Sequence, residues 1–360
     1  MIVERRVELR FGAESRAAGT HTNLSAVRQD GRCLWVAGDE TATIERLTAV
    51  TGPGGLVTCY DGHRTVRLAD LVELPAGPEE EADIEGLARA GGWLWAIGSH
   101  SLKRKKIKPG RSDAKSRKRL ATVVREDNRF ILARLPLVQD ADGLPQVVRA
   151  DGDRTAAVLG LKGDSIADLL ARDPHLAPFL AIPSKDNGLD VEGIAAHGDR
   201  LYIGLRGPVL RGWAVLVEIR PDPEPDARGR LRLLPVGAGG DLYRTHFLDL
   251  GGLGIRDLCP DGDDLLVLTG PSMSLSGPVR VVRWPGAAAV DYPDIVSAAE
   301  LQVLGELPHG DGEDHAEGVA LLAGDDGRPG TRLLVVYDSP SPDRLTEQGG
   351  VLADVVALPL

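Results

Sequence analysis

A motif that recurs four times, with a weaker fifth copy, is the feature that most constrains the fold. Each copy has a short apolar run, a turn rich in glycine and aspartate, and a second apolar run. Two such runs joined by a turn of this kind predict a β-hairpin. The copies begin at Asn23, Asp83, Asp190, Gly254 and His315.

The spacing of equivalent positions in these copies predicts a ring of similar sheets. The positions are separated by 60, 107, 64 and 61 residues, and they are Ser25, Glu85, Glu192, Arg256 and Glu317. About 60 residues hold four strands and their loops, which is one blade of a β-propeller. The sequence therefore predicts an all-β, five-bladed β-propeller that occupies residues 1–360 as a single domain. Six blades are the alternative.

The interval of 107 residues is longer than its neighbours because two segments are inserted in it. One is a basic loop at residues 102–119. The other is a helical insertion at about residues 163–183, where Asp164 or Ser165 would cap a helix that stops before Pro174.

A further strand-like segment precedes each copy and is expected to form the outer strand of the preceding blade. The segment before the first copy is Val3–Phe11. It would join the last blade and close the ring, which removes exposed sheet edges. The other four segments are Thr65–Leu74, Leu176–Pro183, Leu242–Leu250 and Leu301–Leu307.

Two runs of sequence resemble a known bacterial family. They are IGSHSLKRKK, which starts at Ile97, and LTGPSMSLSGPVRVVRW, which starts at Leu268. Together with the Glu-Gly pairs of the repeated motif, they resemble the family named domain of unknown function 3616. That label carries no activity, so the resemblance implies little about function.

A more distant resemblance concerns the D-x-E-G pattern at Asp83 and Asp190. It is similar to propellers described as esterase-like phytases, and the resemblance implies channel acids that hold calcium near a phosphoester. The acidic set of this chain is incomplete, because Ser25 and Arg256 stand where two glutamates would be expected.

The strand directions of a propeller predict one shared polar mouth. First strands start and second strands end at the same face, so polar residues at these ends converge. The predicted mouth residues are Ser25, Asp83, Glu85, His100, Asp190, Glu192, Arg206, Arg256, His315 and Glu317. Other polar residues at these strand ends are Asn23, Asp39, Glu40, Ser99, Asp257, Thr269 and Asp338.

The glutamates of this mouth admit three interpretations, because clustered carboxylates must bind a cation, take up protons or pair with arginine. In the first, they join neighbouring blades, with Arg256 between Glu192 and Glu317. In the second, Glu85, Glu192 and Glu317 hold Ca²⁺ or Mg²⁺, which take oxygen ligands. In the third, a glutamate acts as a general acid or base. No residue is assigned a catalytic role.

The basic loop has ten basic residues, one acid and a net charge of +9, in a chain whose total charge is −11. Such a segment is expected to be exposed and mobile, on the same face as the mouth. It is either a solvated surface or an anion-binding site. Its lack of aromatic residues argues against base stacking. The basic residues are Lys103, Arg104, Lys105, Lys106, Lys108, Arg111, Lys115, Arg117, Lys118 and Arg119.

Charge and hydropathy exclude several classes of protein. The overall charge of −11 argues against a general nucleic-acid coat, so nucleic acid is expected only at the basic loop. The first residues lack the apolar core of a signal peptide, and no apolar run approaches the ~20 residues that cross a bilayer. The sequence therefore predicts a cytoplasmic protein without membrane contact. Cys33, Cys59 and Cys259 are expected to be buried thiols.

These features favour a binding protein whose acidic mouth and basic loop dock a protein or an anionic ligand. The alternative is a hydrolase of phosphoesters or esters that depends on Ca²⁺ or Mg²⁺, with Arg206, Arg256 and the basic loop holding the phosphate. The chain has no GxSxG elbow and no GxxxxGK[ST] loop. The sequence leaves open whether the protein is an enzyme, and it predicts no oligomeric state.

Overall fold

The computed structural model describes residues 1–237, 239–310, 313–323 and 330–359. This part of the chain is mostly β, and its strands form consecutive antiparallel sheets of the propeller-like kind that the repeats predict. No helix among the described residues is long and apolar enough to cross a membrane.

Most strands of the described residues fall into five consecutive sets of four, which we call strand sets 1 to 5. The first strands are Leu24–Asp30, Ile84–Ala90, Asp190–His197, Gly254–Asp261 and His315–Leu322. The second strands are Cys33–Gly38, Trp93–Gly98, Arg200–Leu210, Asp264–Gly270 and Arg332–Asp338. The third strands are Thr43–Thr51, Leu132–Gln139, Trp213–Pro223, Val279–Trp284 and Gly350–Ala357. The fourth strands are Val57–Arg67, Pro145–Val147, Tyr243–Asp249, Gln302–Leu307 and Val3–Arg10.

Smaller elements decorate these sets. The short strands are Lys103–Arg104, Val123–Val124, Ala150–Asp151, Arg154–Thr155, Ala157–Leu159, Leu231–Leu234 and Ile295–Val296. The α-helices are Ala13–Ala17, Asp113–Leu120 and Ile166–Leu169. The 3₁₀ helices are Thr20–Thr22, Pro53–Gly55, Leu68–Asp70, Asp127–Phe130, Leu170–Arg172, Ala177–Phe179, Ser184–Asp186, Ala287–Ala289, Ala298–Glu300 and Pro342–Arg344.

The first strands of the five sets pack side by side in a ring. Each contacts the first strand of the next set, and the first strand of set 5 returns to that of set 1. Apolar side chains fill the space between neighbouring sets, as Trp35, Ile44, Leu87 and Leu94 do between sets 1 and 2. Trp35, the largest of these side chains, is fully buried.

The chain termini close this ring. Val3–Arg10 runs antiparallel to Gly350–Ala357, with Arg5 opposite Val355 and Arg10 opposite Gly350. The prediction that the N-terminal strand completes the last set of strands is therefore confirmed.

The predicted outer segments Leu242–Leu250 and Leu301–Leu307 contain the fourth strands Tyr243–Asp249 and Gln302–Leu307, whereas the fourth strand of set 1 lies earlier than predicted, at Val57–Arg67. No strand forms at residues 176–183, where the chain instead makes the 3₁₀ helix Ala177–Phe179. Pro178 lies in that helix and lacks the N–H that a strand ladder requires. The outer strand of set 2 is formed by Pro145–Val147 instead, and Ala157–Leu159 also pairs with the third strand.

The predicted capped helix is present but short. Ile166–Leu169 begins after Ser165, whose hydroxyl accepts a hydrogen bond from the Asp168 N–H while the Asp168 carboxylate accepts one from the Ser165 N–H. This reciprocal pair is a capping box, and it satisfies two N–H groups that the first turn would leave free.

A buried ion pair crosses the centre of the ring. The guanidinium of Arg28, on the first strand of set 1, donates to both carboxylate oxygens of Asp257 on set 4, at 2.9 and 2.7 Å. It also donates to the carbonyl oxygens of Ile194 on set 3, at 2.9 Å, and Val319 on set 5, at 2.7 Å. One side chain thus ties four first strands together around the axis.

Candidate functional site at the mouth of the ring

A cavity of about 330 Å³ opens where the first strands begin, at the predicted mouth. Four cationic side chains line it, together with two carboxylates and two histidines. The charged residues in this lining are Lys106, Lys185, Arg206, Arg256, Glu317 and Asp338. Residues that are distant in sequence therefore share one pocket, which we call the mouth cavity.

Arg206 lies near the end of the second strand of set 3 and is 3% exposed. Its guanidinium pairs with Asp190 and with Glu192, both on the first strand of the same set. Burial raises the pKa of each of these carboxyl groups, although Arg206 offsets part of the rise. The arginine is thus fixed in place by two acids at the floor of the site.

Arg256 connects neighbouring strand sets at the mouth. It lies 3.7 Å from Glu192 of set 3, pairs closely with Glu317 of set 5, and donates to the Pro271 carbonyl at 3.2 Å. Negative and positive groups therefore alternate across sets 3, 4 and 5. This arrangement agrees with the interpretation in which the glutamates join neighbouring sheets by pairing with Arg256.

Two of the three glutamates that were predicted to hold a metal ion are paired with arginine. Glu192 and Glu317 direct carboxylate oxygens at guanidinium groups, and Glu85 makes no pair with either of them. Among the described residues, no group of three His, Cys, Asp or Glu side chains is arranged to hold a metal ion. The binding of Ca²⁺ or Mg²⁺ by Glu85, Glu192 and Glu317 stays a prediction, and two of these three carboxylates already pair with arginine.

Two carboxyl groups at the mouth lack the partners that Glu192 has. Glu85 makes no hydrogen bond or ion pair with any residue that the structure describes, and one oxygen of Asp39 is buried without a partner. Burial and the neighbouring Asp83 and Glu192 raise the pKa of Glu85 well above its ordinary value. Burial and the neighbouring Asp83, Asp338 and Glu317 raise the pKa of Asp39 to about 8.

Asp83 is held by an arginine that the sequence analysis did not identify. Arg129 lies ten residues after the end of the basic loop at residues 102–119. Its guanidinium nitrogens are 2.5 Å from a carboxylate oxygen of Asp83 and 2.7 Å from one of Glu126. Burial raises the pKa of Asp83 to about 6, and the Arg129 charge limits the rise. No signal in the sequence marks Arg129, because it is one of many arginines in a region rich in basic residues.

The backbone at the mouth is strained at equivalent places in sets 2 and 5. Asp83 and His100 have φ angles of 50° and 51°, and Asp314 and Ser339 have φ angles of 55° and 48°. Left-handed backbone is unfavourable for residues other than glycine and is concentrated at functional sites. In both sets it lies just before the first strand and just after the second.

Two predicted mouth residues, His100 and Ser25, lie outside the lining of the mouth cavity, whereas His315 belongs to it. The His100 ring is buried against Phe130, its Nδ1–H donates to the Gly98 carbonyl at 2.8 Å, and burial lowers its pKa to about 4. Ser25 is buried and its hydroxyl donates to backbone carbonyl oxygens, so it has a structural position. His315 lines the mouth cavity, with Nδ1 3.9 Å from Asp338.

The family described as "Protein of unknown function (DUF3616)" matches residues 23–354. The chain belongs to the DUF3616 family. No curated protein matches this member of the family.

Solved structures match the chain at low sequence identity and low TM-score. Glutaminyl cyclase from Myxococcus xanthus is 11% identical, with 99% of this chain and 96% of that chain covered and a TM-score of 0.41. Hsv2 from Kluyveromyces lactis is 12% identical, with 94% of this chain and 75% of that chain covered and a TM-score of 0.32. These similarities concern the fold alone.

Lysines of the mouth cavity come from two loops of this DUF3616 protein. Lys106 belongs to the basic segment, and Lys185 lies in the 3₁₀ helix Ser184–Asp186, just before the first strand of set 3. Neither ammonium group makes a hydrogen bond or an ion pair within the described residues. Sequence analysis named Lys106 and missed Lys185, whose only signal is its place shortly before a repeat.

Proposed function

We propose that the five strand sets are the five blades of a closed β-propeller and that its mouth binds a small anionic ligand. One observation carries the proposal: Lys106 and Lys185, which have no ion pair within the described residues, line a single cavity together with Arg206 and Arg256. A concave site with an excess of one sign of charge attracts ligands of the other sign. The ring of five packed first strands favours five blades over six.

The four cations have complementary roles. Arg206 and Arg256 are 3% and 8% exposed and are held by acids, so their orientation is fixed before a ligand arrives. Lys106 and Lys185 are exposed, and their ammonium groups have no partner among the described residues, so they can turn toward a ligand. Charge-assisted hydrogen bonds from such groups to a carboxylate or phosphate are among the stronger polar contacts.

An apolar edge beside the cations narrows the class of ligand. Met273 and Leu275 also line the mouth cavity, and Leu275 is 60% exposed. Exposed apolar side chains next to a polar pocket are typical of ligand-binding sites. We therefore expect an anion that carries an apolar group, rather than a bare inorganic ion.

Protonation of the unpaired carboxyl groups is compatible with anion binding. With a pKa of about 8, Asp39 is mostly neutral at pH 7 and does not repel an anion. Above pH 8 it ionises, so the affinity for an anion should fall.

A divalent cation is not required by this proposal, because arginines already neutralise Glu192 and Glu317. Thermal unfolding with EDTA and then with added Ca²⁺ or Mg²⁺ tests the hydrolase alternative. An ion at 100 times its dissociation constant would add about 2.7 kcal/mol to stability. We expect no shift, and a shift that Glu85→Gln/Glu192→Gln abolishes would favour the metal site instead.

Calorimetric titration with phenyl phosphate tests the mouth directly, with inorganic phosphate as the reference anion. We expect phenyl phosphate to bind more tightly, and the double variant Lys106→Gln/Lys185→Gln to lose about tenfold in affinity. The control is Lys162→Gln/Arg228→Gln, which removes the same charge outside the cavity. Both side chains are exposed, and neither makes an ion pair within the described residues. Equal affinity in the two double variants would contradict the proposal.

A further inference from the structure

The basic loop at residues 102–119, together with the residues that follow it to 124, forms regular secondary structure. Lys103–Arg104 pairs antiparallel with Val123–Val124, and the Lys105 N–H donates to the Thr122 carbonyl at 3.1 Å. Between these strands lies the helix Asp113–Leu120, with an acid in its first turn and Arg117, Lys118 and Arg119 in its last. This order of charges favours the helix, because its dipole is positive at the start and negative at the end. We call residues 102–124 the basic hairpin.

The base of the basic hairpin is attached to the mouth face of the ring. Arg104 pairs with Asp186 at 2.6 Å, and the Ser184 N–H donates to the Leu102 carbonyl at 3.0 Å. Lys103 lies 3.9 Å from both Glu81 and Glu126. The contacts with acids are thus made by the first two cations of the segment, and the others remain available.

A second cavity, of about 300 Å³, lies within the basic hairpin itself. Five cations and one threonine line it, and its lining contains no acid: Lys105, Arg111, Lys115, Lys118, Arg119 and Thr122. Within the described residues, Lys105, Arg111, Lys115 and Lys118 have no ion pair. The Arg119 Nε donates to the Lys106 carbonyl at 2.5 Å, which leaves its charge unneutralised.

Five uncompensated cations around one concavity repel one another in the absence of an anion. An anion with several negative charges contacts several of these cations together. Its electrostatic binding energy is therefore larger than that of an anion with a single charge. Lys105 lines this cavity while its neighbour Lys106 lines the mouth cavity, so the two sites are distinct but adjacent.

The lining also indicates which polyanion fits. It has no apolar side chain to receive those of a peptide, and the basic hairpin has no Trp, Tyr or Phe on which a base would stack. Recognition must therefore rest on charge and hydrogen bonds alone. Ile107, Leu120 and Val123 are exposed on the hairpin outside this lining, where a lipid surface would meet them.

We propose that the cavity of the basic hairpin is a second binding site, separate from the mouth, for a ligand that presents several clustered phosphate groups. The phosphates come either from a soluble oligophosphate chain or from a phosphorylated lipid headgroup. In both cases Lys105, Arg111, Lys115 and Lys118 supply the charge, and Thr122 supplies a neutral hydroxyl.

Titration of the full chain with tripolyphosphate, with orthophosphate as the reference, tests this site. We expect tripolyphosphate to bind at least tenfold more tightly, and Lys115→Gln/Lys118→Gln to weaken it about tenfold. Lys162→Gln/Arg228→Gln is the charge-matched control and should bind as the unmodified chain does. The hairpin variant should still bind phenyl phosphate in the mouth, so a failure of one site is distinguishable from a failure of the other.

A second arm separates the two sources of phosphate. The protein is sedimented with vesicles that contain phosphatidylinositol bisphosphate and, as the control, with phosphatidylcholine vesicles. If it sediments only with the former and does not bind free tripolyphosphate, the site is assigned to a lipid headgroup. Absence of binding to both probes would overturn the proposal, as would an equal loss in the two charge variants. Stronger competition by a single-stranded oligonucleotide of equal phosphate content would also overturn it, in favour of nucleic acid.

Discussion

The carboxyl group at the axis of the ring and those at its mouth differ in how many hydrogen-bond donors surround them. At the axis, each oxygen of Asp257 accepts a bond from Arg28, and the N–H groups of Leu258 and Val319 donate as well, at 2.8 and 2.9 Å. At the mouth, Glu85 has no donor among the described residues and Asp39 has a buried oxygen without one.

The difference shows that the residue type does not determine the role of a buried acid. A carboxylate surrounded by four donors behaves as part of the scaffold, because removing any donor leaves charge uncompensated. A buried carboxyl without hydrogen-bond donors lowers the stability of the protein when it is ionised. Such groups are concentrated at functional sites. The comparison separates the part of the ring that maintains its shape from the part that meets a ligand.

The largest effect is expected at the axis. Asp257→Ala should lower the free energy of unfolding by about 3–5 kcal/mol, because Arg28 is left buried without its partner. Urea unfolding measures the loss. Replacing both residues, as Arg28→Met/Asp257→Leu, should recover part of it, since two apolar side chains need no donors. A loss below about 1 kcal/mol in the single variant would show that the axis tolerates an unpaired arginine.

A smaller loss is expected for Glu192→Gln at the mouth. Glutamine still accepts hydrogen bonds, and Arg206 and Arg256 keep Asp190 and Glu317 as partners. The cost should be about 1–3 kcal/mol by the same urea measurement. Stability equal to that of the unmodified chain would argue that the alternating charges across sets 3 to 5 are not cooperative.

Glu85→Gln should raise the free energy of unfolding, whereas the two preceding variants lower it. The carboxyl of Glu85 is raised in pKa by burial and by its acidic neighbours, so a neutral amide relieves a penalty. We expect the variant to be more stable at pH 7, by roughly 1 kcal/mol. Destabilisation would show that Glu85 has a partner in solution, such as a bound cation.

Asp39 is expected to make the free energy of unfolding depend on pH. Its pKa rises from an ordinary 3.8 to about 8, so the folded chain retains a proton that the unfolded chain has lost. Stability should therefore fall as the pH rises from 3.8 to 8, and then level off. Asp39→Asn should remove this part of the slope, which unfolding measured at several pH values would detect. An unchanged slope would assign the dependence to other groups.

The sequence predicted much of the scaffold because the scaffold repeats. The hairpin pattern located every first strand, and the closure through Val3–Arg10 followed from a leftover apolar segment. It failed at Leu176–Pro183, where apolar residues suggested a strand although two prolines oppose one.

The candidate site was predicted less completely, because pairing depends on distance in space. Glu192, Arg256 and Glu317 were found through their equivalent positions in the repeat. Arg28 was not, although a charged residue inside the apolar run LSAVRQD was a usable signal. Lys185 lies in an irregular loop, and nothing in a pattern of strands indicates where such a side chain reaches.

The way the ring closes also affects the order in which the protein can be completed during synthesis. Val3–Arg10 is made before the other strands of the ring, but its antiparallel partner Gly350–Ala357 is made after them. Until then, one side of this strand is an open edge, and only Glu8 and Leu9 have a parallel partner, at Cys59 and Tyr60. A ribosome that stalls before residue 350 would therefore release a chain with an unpaired strand edge, which is the form most prone to pair with another copy.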